Sequence, residues 1–481
     1  MKQQSVKKNF LYNVIYQLLV HVLPFVTMPY VSRVLGVEKL GVYSYTYSIV
    51  YYFMIFAMLG LANYGNRTVA KARDSREELS RTFKEVYRMQ LISSLAMVAL
   101  YVVYLSVFNG NENWTISVAQ ILYLLSCVFD ISWFFFGLER FRLTITWNMS
   151  IKVTALLLIF LLVKGPEDLW IYTVILGGST LITQLALWPF VPKCIDNVKI
   201  KASDVRKHIA PNLRLFLTVI GVTIFKVMDK TMIGMFSNMS EVGYYENAEK
   251  VSQAPVTIIM ALGTVMLPRM SNMYRKGGDE AKAAKVIRIS MKVAMLLACA
   301  LAFGLLAVGR DFAVVFFGAE FEKAGILIMM LAITIVFLAW GNVIRTQYLI
   351  PKEYDKEYAA SAFIGAGVNL VINLALIPSL GAIGACIGTV FAEFSVAFYQ
   401  TMVIRKKLPI KQYLIDSLWF VMRAACMYSV VSLVGFLLRD ANITARIVAQ
   451  VLVGSIVYVL MNYRFIRKEL IDFEEHGNVW D

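Results

Sequence analysis

Residues Arg214–Gln253 read RLFLTVIGVTIFKVMDKTMIGMFSNMSEVGYYENAEKVSQ. The stretch is apolar enough for two membrane helices joined by a short turn at Ser237–Gly243, and it carries Arg214, Lys226, Asp229, Lys230, Glu246, Glu249 and Lys250 inside or near those apolar runs. A charge at membrane depth costs roughly 2.5–3.5 kcal/mol on insertion scales, so it is normally turned toward a partner or a watery cavity. Lys226 and Lys230 are one turn apart with Asp229 between them on the same side, and Glu246, Glu249, Lys250 and Gln253 share one face of the next helix. An outward helix followed by an inward one puts both clusters at similar depth, in the outer half of the membrane. Two readings stand. The cluster is either an ion-responsive element beside an anion-attracting cavity, or a set of salt bridges that fixes a helix pair.

The rest of the chain agrees with membrane residence. Of 481 residues, 59% are hydrophobic and only 16% charged, well away from the composition of a soluble domain. A span needs about 20 mostly apolar residues. Fourteen segments qualify: 9–35, 40–65, 86–108, 114–137, 143–163, 169–190, 209–237, 241–267, 289–309, 324–349, 358–377, 380–403, 416–438 and 443–463. The first, second, seventh and eighth are the most polar. With the N-terminus inside, 33 of the 47 Lys and Arg fall in cytoplasmic segments, 7 in outer segments and 7 within spans. This bias explains the net charge of +15 without nucleic acid and places both termini in the cytoplasm.

An internal repeat supports the layout. At an offset of 202, Gly41-Val-Tyr43 matches Gly243-Tyr-Tyr245 and Arg67 falls on Arg269. Six spans per unit makes the repeats parallel, with a cavity expected between them. The expected organisation is a six-helix lobe over 1–200, a second over 201–407, and two further helices with a tail over 408–481. The copy of the charged stretch, Pro24–Tyr51, has hydroxyls and rings instead: Tyr43, Ser44, Tyr45, Tyr47 and Ser48. These could contact sugars by stacking and hydrogen bonding, or form an interfacial aromatic belt.

Arginines at the two mouths of such a cavity suit a diphosphate, because the guanidinium fork pairs phosphate oxygens bidentately. Arg33 sits at the outer end of span 1, and Asn63 and Arg67 at the inner end of span 2, where ordinary positive-inside topology competes as an explanation for Arg67. Glu393 lies deep in span 12, as a proton site or a packing carboxyl. Gly384-x-x-x-Gly388 with Gly365 and Gly367 reads as close packing of spans 11 and 12. Pro24, Pro29 and Pro255 are expected kinks. Five cysteines, four of them in spans, argue against a disulfide framework. His21, His208 and His476 stand in no metal or triad pattern, and no phosphate loop implies ATP hydrolysis. No metal or cofactor is expected.

Lys8-Asn-Phe-Leu-Tyr-Asn13, Pro29-Tyr-Val-Ser-Arg-Val-Leu-Gly36, Gly41-Val-Tyr-Ser-Tyr45 and Leu61-Ala-Asn-Tyr-Gly-Asn-Arg67 resemble the Wzx-type oligosaccharide flippases. These belong to the multidrug/oligosaccharidyl-lipid/polysaccharide exporter superfamily. The likeness runs over essentially the whole chain and is most specific in its first 90 residues. It implies an all-α fold of two six-helix lobes plus two helices that opens alternately to each side of a bacterial plasma membrane. The implied cargo is an undecaprenyl-diphosphate-linked repeat unit for capsule, O-antigen or exopolysaccharide, moved to the outer leaflet under an H+ or Na+ gradient. A polymerase and glycosyltransferases of the same pathway are the implied partners. From the related lipid II flippases it points to Arg33, Arg67 and Arg269. Physical reasoning adds Asn63, Arg214, Lys226, Lys230 and Lys250 to the cationic path, and Asp229, Glu246, Glu249 and Glu393 to coupling or gating. A cation exporter of the same fold is the nearest alternative, but its cavity should be acidic, whereas seven Lys/Arg stand within the spans beside Asp229, Glu246, Glu249 and Glu393. A membrane-embedded polymerase or glycosyltransferase would want a large outer loop or a poised carboxylate pair, and the sequence has neither.

Overall fold

The computed structural model describes residues 6–108, 113–275 and 280–475, without the side chains of 6–22, 217–219, 221–226 and 468–475. Sixteen α-helices appear among the described residues. They are α1 Val6–Met58, α2 Leu61–Ala72, α3 Arg76–Val107, α4 Trp114–Ala119, α5 Ile121–Phe129, α6 Ser132–Gly137, α7 Phe141–Leu162 and α8 Leu169–Leu185. There follow α9 Ala202–Phe236, α10 Met239–Arg275, α11 Glu280–Phe317, α12 Glu322–Ile344, α13 Asp355–Leu380, α14 Ala382–Ile404, α15 Ile410–Leu437 and α16 Ile443–Glu475.

Among the described residues, twelve stretches are long and apolar enough to cross a membrane. The first, Leu23–Ala72, contains a break at Gly36, and α9, with 35 residues, is also long enough to cross. Dividing the one and admitting the other returns the fourteen spans of the sequence. The exterior has the character of a lipid-facing surface: Leu414, Leu418, Trp419 and Met422 of α15 and Val451, Leu452, Ile456 and Leu460 of α16 are all exposed. The polar groups turn inward, with Gln90, Gln120, Asn212, Gln347, Asn369, Asn373 and Asn462 buried. That inversion is what hydrocarbon demands.

Three boundaries differ from the sequence reading, each for a local reason. Span 2 does not run from 40 to 65. Leu59 and Gly60 both take positive φ (44° and 76°), ending α1 at Met58 and starting α2 as a separate helix. Span 4 is not one helix but α4, α5 and α6, broken at Gln120 and at Asp130–Ile131. The second break exposes carbonyls that no helical turn satisfies. Gln90 of α3 supplies the missing donors, its Nε2 reaching Cys127 O and Asp130 O at 2.7 Å each, while its Oε1 accepts Trp133 Nε1 at 2.8 Å. Between α9 and α10 the turn is only Ser237–Asn238, because the Asn238 side chain accepts the Glu241 N–H at 3.0 Å and starts the next helix early.

The chain divides into two compact units, Met1–Gly243 and Tyr244–Asp481. In the first, Trp133, Phe134 and Phe135 are fully buried in a core with Phe83, Val86 and Leu61, over which Gly65 and Gly137 let α2 and α6 meet without side chains between. Within the same unit, residues 37–41 cross residues 239–243 at backbone contact. A Cβ on Gly41 would stand 1.7 Å from Met239 O, and one on Gly243 would stand 2.1 Å from Val37 O. The two contacts are reciprocal: the offset of 202 that carries Gly41 to Gly243 carries Val37 to Met239.

In the second unit, α11 packs on α12 and α13 on α14, around a core running from Val256 to Tyr458. Gly384, Gly388 and Gly365 permit the α13–α14 approach, their absent Cβ positions lying 2.6, 2.2 and 2.5 Å from neighbouring atoms. Gly367 takes no part, having nothing within 4 Å. α12 ends in a π-turn, Arg345–Leu349, where Arg345 donates to Asn342 Oδ1 at 2.8 Å.

Candidate functional site

α2 is short, amphipathic and set off from α1 by the Leu59–Gly60 break, which frees it to lie along α9. One face carries Leu61, Tyr64, Gly65 and Val69 into the core. The other offers Arg67, Thr68 and Lys71 to a cleft of about 420 Å³, closed on the far side by Pro211, Arg214 and Leu215 of α9. Three cations line it and, among the described residues, no carboxylate does. Charge-assisted hydrogen bonds to a phosphate contribute roughly 1.5–3 kcal/mol each, so three such donors select an anion strongly.

The wall behind the cleft is a buried polar chain drawn from three helices. Tyr64 hydroxyl lies 2.6 Å from His208 Nδ1, and His208 Nε2 lies 2.8 Å from Glu85 Oε2. Lys207 Nζ reaches the same carboxylate oxygen at 2.9 Å. The Glu85 side chain is 1% exposed and that of His208 7%, whereas Lys207 reaches in from solvent. A buried carboxylate with no partner would cost several kcal/mol, and the imidazole and ammonium supply that partnership. The neighbouring Asp204 accepts the Lys201 backbone N–H at 2.9 Å, which holds its carboxyl below the usual value and anchors the first turn of α9.

The structure brings Arg67 and Arg214 together in this cleft, with Asn63 exposed one turn before Arg67. Lys71, Thr68, Tyr64, Glu85 and His208 were not among the sequence candidates for the path. His208 does stand in a hydrogen-bonded triad with Glu85 and Tyr64, contrary to the sequence reading of the histidines; residues 64, 85 and 208 have no spacing that announces it. A single glutamate inside the basic run Arg81–Arg88 was the available signal.

The other candidates lie elsewhere. Arg33 is exposed and donates to Pro29 O of its own helix at 2.9 Å. Tyr43 spends its hydroxyl on Tyr123 at 2.8 Å, with Tyr47 stacked on it, and Ser44 is buried. The Tyr45 ring lies against Gly234. Ser48 bonds Thr231 at 2.9 Å, next to buried Asp229 and half-buried Lys230. The side chain of Lys226 lies outside the described residues, as do those of His21 and His476. Lys250 pairs with Glu246 at 2.8 Å on its own helix. Glu249, Arg269 and Glu393 are half-buried in the second unit.

A family model described as "Polysaccharide biosynthesis protein" matches residues 6–274, more than half of the chain. The chain belongs to the polysaccharide biosynthesis protein family. This member is similar to a candidate O-antigen transporter of Escherichia coli (strain K12), 21% identical over 83% of this chain and 97% of that one. It is also similar to the succinoglycan biosynthesis transport protein ExoT of Rhizobium meliloti (strain 1021), 20% identical over 94% and 92%. Among solved structures, the lipid II flippase MurJ in an inward closed conformation superimposes with a TM-score of 0.79 at 16% identity, over 96% of this chain and all of that one. An inward-facing MATE family multidrug transporter gives 0.60 at 14% identity, over 85% and 95%. The fold is thus the one expected from the resemblance, shared with the lipid II flippase and MATE transporter structures.

Proposed function

We propose that this polysaccharide biosynthesis family member is a flippase for lipid-linked oligosaccharides, turning an undecaprenyl-diphosphate-linked repeat unit from the cytoplasmic to the outer leaflet of a bacterial plasma membrane. The observation that carries the reading is the cleft of Arg67, Lys71 and Arg214 with, among the described residues, no carboxylate in its lining. A diphosphate cannot enter hydrocarbon uncompensated, and such a cleft offers it charge-assisted donors while the polyprenyl tail stays in lipid. The bias of basic residues among the loops supports a cytoplasmic position for this cleft, where the lipid-linked unit is made, and for both termini. The O-antigen and succinoglycan transport assigned to the relatives supports the same cargo class.

The reciprocal contact of residues 37–41 with 239–243 supports the parallel six-helix repeats over 1–200 and 201–407, with 408–481 as the additional pair. In this reading an H+ or Na+ gradient drives alternating access. Asp229, Glu246, Glu249 and Glu393 are the groups assigned to coupling, and the capsule, O-antigen or exopolysaccharide polymerase receives the product. A cation exporter would need an acidic cleft, and the cleft present is basic.

Proteoliposomes containing the full chain test this. They should move a labelled polyprenyl-diphosphate oligosaccharide between leaflets without ATP, and leave an organic cation such as rhodamine untransported. Transport of the cation alone, or a strict ATP requirement, would overturn the reading.

A further inference from the structure

The chain Tyr64–His208–Glu85 ends at the basic cleft, and its proton positions are dictated by chemistry. Glu85 Oε2, an ionised carboxylate oxygen held also by Lys207, can only accept, so His208 Nε2 donates. In neutral His208 the other nitrogen, Nδ1, then carries a lone pair and accepts the Tyr64 hydroxyl at 2.6 Å. The tyrosine proton is spent inside the protein. When His208 is protonated, Nδ1–H becomes a donor and the Tyr64 oxygen must accept it. The hydroxyl hydrogen is released and turns toward the space that Tyr64 lines with Arg67, Thr68, Lys71 and Arg214.

We propose that the cleft is a proton-linked phosphate subsite, in which binding of a phosphate-bearing anion is accompanied by uptake of one proton on His208, with Tyr64 as the relay that presents a donor to the anion. The proposal rests on the flippase reading for the identity of the anion. It adds the coupling between proton and anion, which nothing in the charge count implies.

The energetic sense is reciprocal. A dianion among Arg67, Lys71 and Arg214 favours the imidazolium behind them, and the imidazolium adds both positive charge and a freed hydroxyl donor for the anion. Glu85 makes the charged state tolerable in a buried position, because its Oε1 has no hydrogen-bond partner and its charge already faces the ring. Among the described residues, three helices bring ionisable groups to His208. Glu85 comes from α3, Tyr64 from α2, and Lys207 and Asp204 from its own helix. Arg81 of α3 stands near Asp204, and Arg88 of the same helix is exposed. Imidazole is the one side chain of this set whose ordinary pKa, about 6.5, lies in the range the cytoplasm and the outer surface span.

Calorimetry of the detergent-purified full chain with farnesyl diphosphate as the lipid probe and inorganic pyrophosphate as the free-anion probe tests the proposal. In two buffers of different ionisation enthalpy at pH 7, wild type should take up close to one proton per anion bound; an uptake of zero would overturn it. Between pH 5.5 and 8.5 the ratio of His208→Gln to wild-type Kd should rise as pH falls, by up to about tenfold per pH unit for a single linked proton. The probes' own ionisation near pH 6 is common to both proteins and cancels in the ratio. A constant ratio would overturn the proposal. Tyr64→Phe keeps the ring and its packing and should lose most of the pH-linked gain; full retention would overturn the relay. The linkage with farnesyl diphosphate alone assigns the anion to a lipid headgroup, and with both probes to the phosphate group itself. If neither probe binds wild type, or Arg67→Ala and Arg214→Ala leave binding unchanged, it is the phosphate reading of the cleft that fails.

Discussion

Gly41→Ala adds one methyl group at the point where residues 37–41 cross residues 239–243. That carbon would stand 1.7 Å from Met239 O and 2.6 Å from Met239 C, both backbone atoms that cannot rotate away. A carbon–oxygen contact tolerates about 3.3 Å, so the two segments must part by about 1.6 Å or the crossing must be remade. Overpacking of this kind costs about 1–3 kcal/mol, and a displacement of backbone belongs at the upper end. Intrinsic helix preference acts the other way, with alanine favoured over glycine by roughly 0.5–1 kcal/mol. Gly178→Ala in α8 and Gly367→Ala in α13 isolate that second effect, since neither position has anything within 4 Å. The assay is thermal unfolding of detergent-purified protein at one scan rate, read as rank order because such transitions are often irreversible. Gly41→Ala should melt below wild type, and the two controls at or above it. Gly41→Ala melting with the controls would refute the crossing and remove the structural support for the repeat.

Two further perturbations address the helix breaks. Gln90→Leu removes the 2.7 Å donors to Cys127 O and Asp130 O, leaving the longer contacts from Ser94 and Trp133, and also removes an acceptor of Trp133 Nε1, at about 0.5–1.5 kcal/mol for each lost hydrogen bond. It should therefore destabilise by about 2–4 kcal/mol in the same melt, whereas Leu157→Ala on an exposed apolar surface should change little. Gly36→Ala forces a side chain into φ 76°, ψ 172°, a conformation that costs a non-glycine residue about 1–3 kcal/mol. The melt should fall, and an unchanged melting temperature would mean that the break in α1 is not built as described.

The spans were legible because hydrocarbon imposes a length and a composition, and the loop charges imposed an order on them. The breaks inside spans 2 and 4 were not. A hydropathy window cannot see that Leu59–Gly60 turns left-handed, nor that Gln90, thirty-seven residues before Cys127, repairs the gap between α5 and α6. Arg67 was visible as a basic residue at a helix end, but its role was inseparable from topology until Arg214 was found across the same cleft. The Tyr64–His208–Glu85 chain left almost no trace. Its members come from three helices, and each alone reads as a core tyrosine, a stray histidine and one acid in a basic run. The tyrosines of residues 43–47 read as sugar contacts or an interfacial belt, and neither reading reveals that Tyr43 and Tyr123 bond each other inside the first unit.

The central claim is that Arg67 and Arg214 hold the diphosphate of a lipid-linked oligosaccharide. It is tested most directly by the initial translocation rate of that substrate in proteoliposomes holding equal amounts of wild-type, Arg67→Ala and Arg214→Ala protein. A lost charge-assisted contact of roughly 1.5–3 kcal/mol corresponds to at least about a tenfold slower rate at subsaturating substrate for each variant. Rates equal to wild type in both variants, with both proteins folded, would contradict the account.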